Sequence, residues 1–483
     1  MPTRTHRSTF RRLGALALVS ALAACAGGRT PGEAPVTGST LAITHVAVAD
    51  GTTPELRRDW TVVVRDGRIA AAGPADEVRV PAAATVIDGS GRFLVPGLWD
   101  MHVHLDERDP EWLPLLVAHG VTSVRDVGAF RAADADSTRR QVIARGLPAP
   151  RIATAGFVVE TPGSLAFMEG LATGAAATRH PTPRWNRGRL AITTPAGAEA
   201  AADSVVRAGG SMLKFIDPGT AENFRALAGA ARARNLLLVG HAPQTLRVAS
   251  PWQALDAGVR SFEHMWGFAR ALDTMAAASR AALAARMRER DAAYVPTLIV
   301  SGQDAIPTDR FRALVDDSLG AVDPRNRWIS ARERTQWDVR LRTLRAQGRS
   351  AEWIASFQRS YGREAAALRE LHRLGAPVLP GSDLGMYLVY PGSSLHDELA
   401  LLTRDAGMTP FEALRSATLA SARWMGMADS VGSIRPGQVA DLVLLDADPL
   451  ASVANLARVR SVMVRGRVYD RAALDAILAW RAR

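Results

Sequence analysis

A chain of 483 residues with 47% hydrophobic content is long enough for one barrel-sized domain, a smaller companion and a sizeable buried core. Its formal charge of +11 comes from scattered basic residues, with no long basic run and no interleaved aromatics to stack bases, which argues against a nucleic-acid partner. Cys25 is the only cysteine, so an internal disulfide is excluded.

Residues 1–24 read as a signal peptide: a basic stretch ending in Phe10-Arg11-Arg12, then an apolar run from Leu13 to Ala24, too short to span a bilayer permanently. Arg4, Arg7, Arg11 and Arg12 supply part of the net charge, and Arg11-Arg12 also allows twin-arginine export. Leu22-Ala23-Ala24-Cys25 resembles a bacterial lipobox, in which the cysteine is acylated and the chain is cut just before it. That resemblance implies an exported lipoprotein, periplasmic or at the cell surface, held to a membrane through Cys25. The alternative is an unmodified leader cysteine with cleavage elsewhere. Residues 25–40, rich in Gly and Pro, read as a flexible tether.

From Leu41 the pattern becomes short alternating apolar runs: Leu41 to Val48, Trp60 to Val64, Arg68 to Ala71 and Thr85 to Asp88, with Asp66-Gly67 as a hairpin turn. Matching strands recur at Asp441 to Leu445 and Val459 to Arg465, the latter ending in an Arg465-Gly466 turn. Neither end has enough strands to bury an apolar face alone, so residues 41–96 and 426–470 are expected to form one β-sandwich, followed by a C-terminal helix over 471–483. Residues 97–425 alternate strand-like runs with helix-length segments. The strands read as Phe93 to His104, Val121 to Val127, Arg151 to Val159, Met212 to Ile216, Leu236 to His241, Ser261 to His264, Tyr294 to Val300 and Pro377 to Asp383. Eight such units predict an α/β fold, a (β/α)₈ TIM barrel. A helical insertion at about 303–369, with Trp328, Trp337 and Trp353 at near-helical spacing, either covers the barrel mouth or packs at its edge.

Potential metal ligands fall at the C-terminal ends of these strands, where barrel enzymes carry their sites. His102 and His104 close the first strand, and residues two apart on a strand share a face, so both imidazoles can reach one metal. His241 closes the fifth strand, His264 the sixth and Asp383 the eighth. Lys214 ends the fourth, and it is the only lysine beside 58 arginines. Lysine can lose its proton when desolvated, which guanidinium does not. A neutral amine can take up carbon dioxide as a carbamate, whose two oxygens can bridge two ions.

With these residues in view, the chain resembles the amidohydrolase superfamily, in the branch of imidazolonepropionase-like enzymes and prolidase-like dipeptidases. The matching stretches are Val95-Pro96-Gly97-Leu98-Trp99-Asp100-Met101-His102-Val103-His104, Phe262-Glu263-His264, Gly381-Ser382-Asp383, and Gly432-Ser433-Ile434-Arg435-Pro436-Gly437 leading to Ala440-Asp441-Leu442-Val443. The resemblance runs from about Leu41 to about Asp470. It implies two divalent ions, zinc most commonly, with manganese, iron or cobalt as alternatives. It assigns His102, His104 and Asp383 to the first ion, His241 and His264 to the second, and a carboxylated Lys214 to the bridge. It also implies a hydrolase of carbon–nitrogen bonds in which Asp383 takes a proton from water and passes it to the leaving nitrogen. A mononuclear site with an unmodified Lys214 is the alternative.

The substrate expected is a small-molecule amide, with a small dipeptide as the first choice. A cyclic amide of the imidazolone type and an ester or lactone are the alternatives, and a non-catalytic barrel lipoprotein is the reading of another class. Pro243 stands where many relatives carry a substrate-contacting histidine, which leaves the substrate class open. His396 could line the pocket or pack under the following helix, and Tyr294 and Tyr387 could bind a substrate carboxylate or an oxyanion. Arg125-Asp126 reads as an internal ion pair. The sequence leaves a homo-oligomer open.

Overall fold

The computed structural model describes residues 40–128, 131–166, 188–241, 248–264, 266–303, 305–346 and 350–480. The leader, the tether with Cys25, the Ala242-Pro243 step and the last three residues lie outside them. None of the described helices is long and apolar enough to cross a membrane.

Five strands open the described chain: β1 Thr40–Val48, β2 Arg57–Arg65, β3 Arg68–Pro74, β4 Thr85–Asp88 and β5 Phe93–Pro96. Nine more follow, separated mostly by helices: β6 Leu98–Val103, β7 Val121–Asp126, β8 Arg151–Thr154, β9 Val158–Glu160, β10 Arg189–Ala191, β11 Met212–Phe215, β12 Leu237–His241, β13 Val259–Glu263 and β14 Ala293–Val295. Then β15 Leu442–Leu445, β16 Val459–Val464 and β17 Arg467–Tyr469 precede a final helix, Arg471–Leu478.

The two chain ends meet in one sheet of order β17-β16-β15-β5-β1-β2-β3, with β4 beside β1. The pairing gives a single hydrogen-bonded sheet, where two facing sheets were expected. Ile43, Val62, Ile69 and Leu94 from the first end pack in one apolar cluster with Leu442, Leu444 and Met463 from the second. Both hairpin turns have two consecutive residues of positive φ, Asp66 and Gly67 in one and Arg465 and Gly466 in the other, the geometry that matches strand twist in two-residue loops. The turns touch: a Cβ on Gly466 would lie 2.6 Å from the Gly67 Cα, so the contact requires glycine.

The middle strands form parallel sheets, β6-β7-β8 and β10-β9-β11-β12-β13-β14. Between β14 and β6 runs the segment 377–384, which replaces a regular eighth strand. It is held by single links rather than a ladder: Tyr294 N–H to Pro377 O at 2.9 Å, Leu379 N–H to Tyr294 O at 2.8 Å, Met101 N–H to Pro380 O at 2.9 Å and Asp383 N–H to His102 O at 2.7 Å. Pro377 and Pro380 have no N–H to give, which accounts for the broken pairing. Across the other seam, between β8 and the start of β11, Ser211 N–H donates to Thr154 O at 3.0 Å. Apolar side chains from both sheets, among them Trp99, Met101, Met212, Val239, Val295 and Leu379, meet in one cluster.

Three expected strands are shorter than the sequence suggests. The first divides at Gly97 into β5, which joins the end sheet, and β6. The third divides into β8 and β9 around Gly156, whose φ is +73°. The seventh stops at Val295, because Thr297 takes a left-handed φ of +48° and a helix begins at Leu298. Helices between strands start at side-chain caps: Thr194 accepts from Gly197 N–H, Thr220 from Asn223 N–H, and Ser250 forms a capping box with Gln253.

The insertion supplies helices Thr308–Asp316, Ala331–Ala346 and Ala351–Arg373. Arg332 pairs with Asp109, in the segment just after His104. Trp337 meets Tyr390 edge-on at 5.9 Å and the Arg340 guanidinium lies 5.4 Å over the Tyr387 ring, both in the segment after Asp383. The insertion therefore packs onto segments that follow the first and last of the parallel strands, at the end where the candidate ligands lie. Trp328 and Trp337 are buried, as their helical spacing implies.

Candidate metal centre

The ends of β6, β12 and β13 bring four imidazoles together. His102 lies 4.8 Å from His264 between ring centroids and 5.3 Å from His104, and His264 lies 4.8 Å from His241. Asp383 enters from the irregular segment: its Oδ1 is 3.4 Å from His102 Nε2 and 3.2 Å from His104 Nε2, and its Oδ2 is 3.9 Å from His264 Nε2. The approach depends on Gly381, where a Cβ would come within 2.6 Å of the His102 Cβ and 2.7 Å of a Val295 methyl. His264 and Asp383 both have left-handed φ, +63° and +58°, strained values for residues with side chains.

Each group is held from behind. His102 Nδ1 lies 2.8 Å from Glu263 Oε2, and His264 Nδ1 lies 2.5 Å from Thr297 Oγ1. Glu398 accepts from the N–H groups of Leu298 at 3.0 Å and Ile299 at 2.9 Å, which fixes the residues after Thr297. Asp100 accepts from Ser382 N–H at 2.9 Å and Ser382 Oγ at 2.5 Å, tying β6 to the segment that carries Asp383.

Burial sets the protonation states. It pulls His102 down to about 4 and His264 to about 3, against the opposing pull of Asp383, and it holds His241 well below the usual histidine value. All three imidazoles are therefore neutral at pH 7, the form that binds metal. Burial pushes the Asp383 carboxyl up, but the neighbouring histidines outweigh it and hold the group ionised far below the carboxylate range. Lys214 is 1% exposed and its Nζ has no hydrogen-bond partner; burial lowers it to about 8, against the pull of Glu263.

The donor set fits a divalent ion. Among the described residues, His102, His264 and Asp383 present ligand atoms that all lie within 4.8 Å of one another. His102 Nε2 is buried without a hydrogen-bond partner, a cost that a bound cation would remove. Neutral imidazoles with a carboxylate suit zinc and its first-row neighbours.

The structure thus brings His102, His104, His264 and Asp383 into direct proximity, with His241 against His264. Lys214 lies close enough for its charge to act on His102, His241 and His264. Two other expectations change, for Tyr294 and Arg125. Tyr294 faces the opposite way: Ala293 and Val295 join the inner cluster, so by strand alternation Tyr294 points under the helices, against Phe262 at 5.5 Å and Phe268 at 4.5 Å. Of the two alternatives for His396, packing is the one its contacts fit: its Nε2 donates to the His119 carbonyl at 2.8 Å. Arg125 pairs with Glu263 and not with Asp126, which instead accepts from Leu105 N–H at 3.1 Å and the Thr154 hydroxyl at 2.7 Å. Tyr387 is buried, its ring edge-on to Phe311 at 5.5 Å and covered by Arg340, so its aromatic faces serve packing by the insertion. Sequence reasoning gave no role to Glu263, Thr297, Asp100 and Ser382. Glu263 had a signal, since it alternates with Ser261 on one strand face and adjoins His264.

Parallel strands whose C-terminal ends converge on histidines and an ionised aspartate are the arrangement of barrel enzymes that carry their site at that end; here the parallel strands form two separate sheets. The chain belongs to the amidohydrolase family, whose profile matches residues 93–469; its members are hydrolases of carbon–nitrogen bonds, generally with divalent ions, and their fold is a TIM barrel. An imidazolonepropionase of Streptomyces griseus is 27% identical over 430 residues, covering 85% of this chain and 93% of that one. An imidazolonepropionase of Halobacterium salinarum is 29% identical over 252 residues, a match that takes in 45% of this chain and only 60% of the relative's length. A solved Xaa-Pro dipeptidase with methionine bound in its active site has a TM-score of 0.67 and 21% identity, covering 89% of this chain and 100% of that one.

Proposed function

We propose that the protein hydrolyses the amide bond of a small dipeptide. The observation that carries this reading is Lys214, a buried amine with no hydrogen-bond partner beside three neutral imidazoles and an ionised aspartate. In its neutral form the Nζ attacks carbon dioxide; a carbon–nitrogen bond forms, a proton leaves, and a carbamate with two oxygens results. In this reading His102, His104 and Asp383 would hold one ion, His241 and His264 would hold a second, and carboxylated Lys214 would supply oxygens to both. Bound zinc, or manganese, iron or cobalt, supplies an acidified water and polarises the scissile carbonyl. Asp383 accepts the proton of the attacking water and returns it to the leaving nitrogen, because its carboxylate is ionised and faces the ligand nitrogens. The imidazoles stay neutral and serve as ligands, not acids.

A second reading is a single ion on His102, His264 and Asp383, favoured by their tight grouping. A cyclic amide is the alternative substrate, supported by the imidazolonepropionase that this chain matches over most of its length. The barrel is read as eight-membered, over residues 97–425, with the end sheet as its companion domain over 41–96 and 426–470. A leader over 1–24, a tether over 25–40 and a lipid anchor at Cys25 complete the proposal, making the enzyme an exported, membrane-held lipoprotein.

The test is a mass-spectrometric screen of the leaderless protein, loaded with zinc or manganese in bicarbonate, against pooled dipeptides, N-acyl amino acids and cyclic amides. Selective loss of dipeptides supports the reading, and turnover confined to cyclic amides replaces it. For the bridge, Lys214→Ala is expected to hold less metal than the parent and to regain part of its activity with small carboxylic acids. Parent-like metal content in that variant removes the carbamate.

A further inference from the structure

Behind His102 lies a buried ion pair that the ligand set does not use. Arg125 on β7 and Glu263 on β13 have side chains with no solvent exposure. The guanidinium donates to both Glu263 oxygens at 2.8 Å, to Ser261 Oγ at 2.8 Å and through Nε to the Met101 carbonyl at 2.5 Å. One side chain thereby ties β6, β7 and β13 together directly beneath the ligands. Glu263 Oε2 continues the chain to His102 Nδ1.

We infer that Arg125 and Glu263 are positioning residues for the metal centre, fixing His102 as the tautomer with its proton on Nδ1 and its lone pair on Nε2. A carboxylate held by a guanidinium is ionised and can only accept, so the Nδ1 of His102 is the donor. That leaves Nε2 unprotonated, and Nε2 is the atom that lies 3.4 Å from Asp383 and has no hydrogen-bond partner. An acceptor behind a metal-binding histidine fixes ring orientation and raises its basicity. Arginine suits the place because its planar fork directs donors toward two other strands at once, whereas an ammonium is a single point. Neither residue is assigned any contact with substrate.

Two measurements test this, and neither reads turnover. The first is zinc affinity by chelator competition in Arg125→Met/Glu263→Leu, which leaves no buried charge unpaired and so favours folding. Affinity is expected to fall about tenfold to hundredfold, with a melting temperature of the metal-free protein close to the parent's. Parent-like zinc affinity in that variant, once folded, overturns the inference, as a merely structural pair would move the melting temperature instead. The second is the ¹⁵N spectrum of the metal-free parent with labelled histidine, the His102 signals assigned by their loss in His102→Gln. A proton on Nδ1 with a bare Nε2 supports the inference, and a proton on Nε2 overturns it even if the double variant fails to fold. Because the readouts are binding and protonation, this inference and the dipeptidase reading fail separately.

Discussion

The two sides of the parallel strands both bury polar groups, and they do so differently. On the inner side, at the strand ends, His102, His241, His264, Lys214 and Asp383 crowd together, and each of His102, His264 and the Asp383 segment is braced from behind by another side chain. On the helix-facing side, Tyr294 is buried and His119 and His396 are half-buried. There His396 bonds to the backbone carbonyl of His119, and the Tyr294 hydroxyl has no partner at all. Burial depresses the histidines on both sides, to about 3 for His119 as for His264. A lowered histidine value therefore does not mark a site in this protein. Convergence on an ionised carboxylate, with strained backbone at two of the candidate ligands, is what sets the inner side apart.

The largest effect is expected where one side chain is changed on each face. Asp383→Asn removes the proton acceptor and should lower kcat/KM by about 10²- to 10⁴-fold on whichever amide the parent cleaves, with the fold intact by circular dichroism. His396→Gln keeps a donor for the His119 carbonyl and should leave kcat/KM within about threefold, at a stability cost of about 1 kcal/mol in urea. A loss in His396→Gln comparable to that in Asp383→Asn would erase the distinction between the two sides.

Acid sharpens the comparison by a smaller margin. Burial, reinforced by His396 and Arg325, lowers His119 to about 3 in the folded protein, whereas the unfolded chain titrates near the ordinary value of about 6.5. Between those values the unfolded state binds the extra proton, so this contribution is intact above pH 6.5 and is lost progressively as pH falls toward 3. His119→Gln should therefore melt with a shallower acid dependence between pH 6.5 and 4 in metal-free protein, and with the parent's slope at pH 8. Equal slopes in the acid window would mean that His119 is not held neutral in the fold.

How much of this was legible follows the same division. The hairpins were readable because Asp66-Gly67 and Arg465-Gly466 combine a positive-φ residue pair with flanking strand patterns. The candidate ligands could be picked out because chemistry restricts residue type at a strand end: a His-x-His pair, a single lysine among arginines, and an aspartate after Gly-Ser. Side and register were harder. Pro377, Pro380 and Gly381 break the last strand into single hydrogen bonds, which no periodicity announces. Strand alternation has a period of two, so placing the start of β14 at Tyr294 rather than Ala293 is enough to leave the side undetermined. The partners of Arg125 and Asp126 are long-range choices between strands, set by which residues share a face and invisible in the adjacency of the two names.

Tyr294 gives the smallest effect and the cleanest decision about sidedness. Its ring packs with Phe262 and Phe268, and its hydroxyl is buried without a partner, with burial raising its pKa well above the ordinary value. A hydroxyl left unpaired in an apolar setting carries its desolvation cost with nothing in return, so Tyr294→Phe should leave stability unchanged or raise it by about 1 kcal/mol. kcat/KM should match the parent. Had Tyr294 pointed inward to bind a developing oxyanion, losing the hydroxyl would cost about 10²- to 10³-fold in kcat. A loss of that size, in protein with parent-like urea stability, would show that the ring reaches the inner side and that the strand is registered one residue away from where the fold sets it.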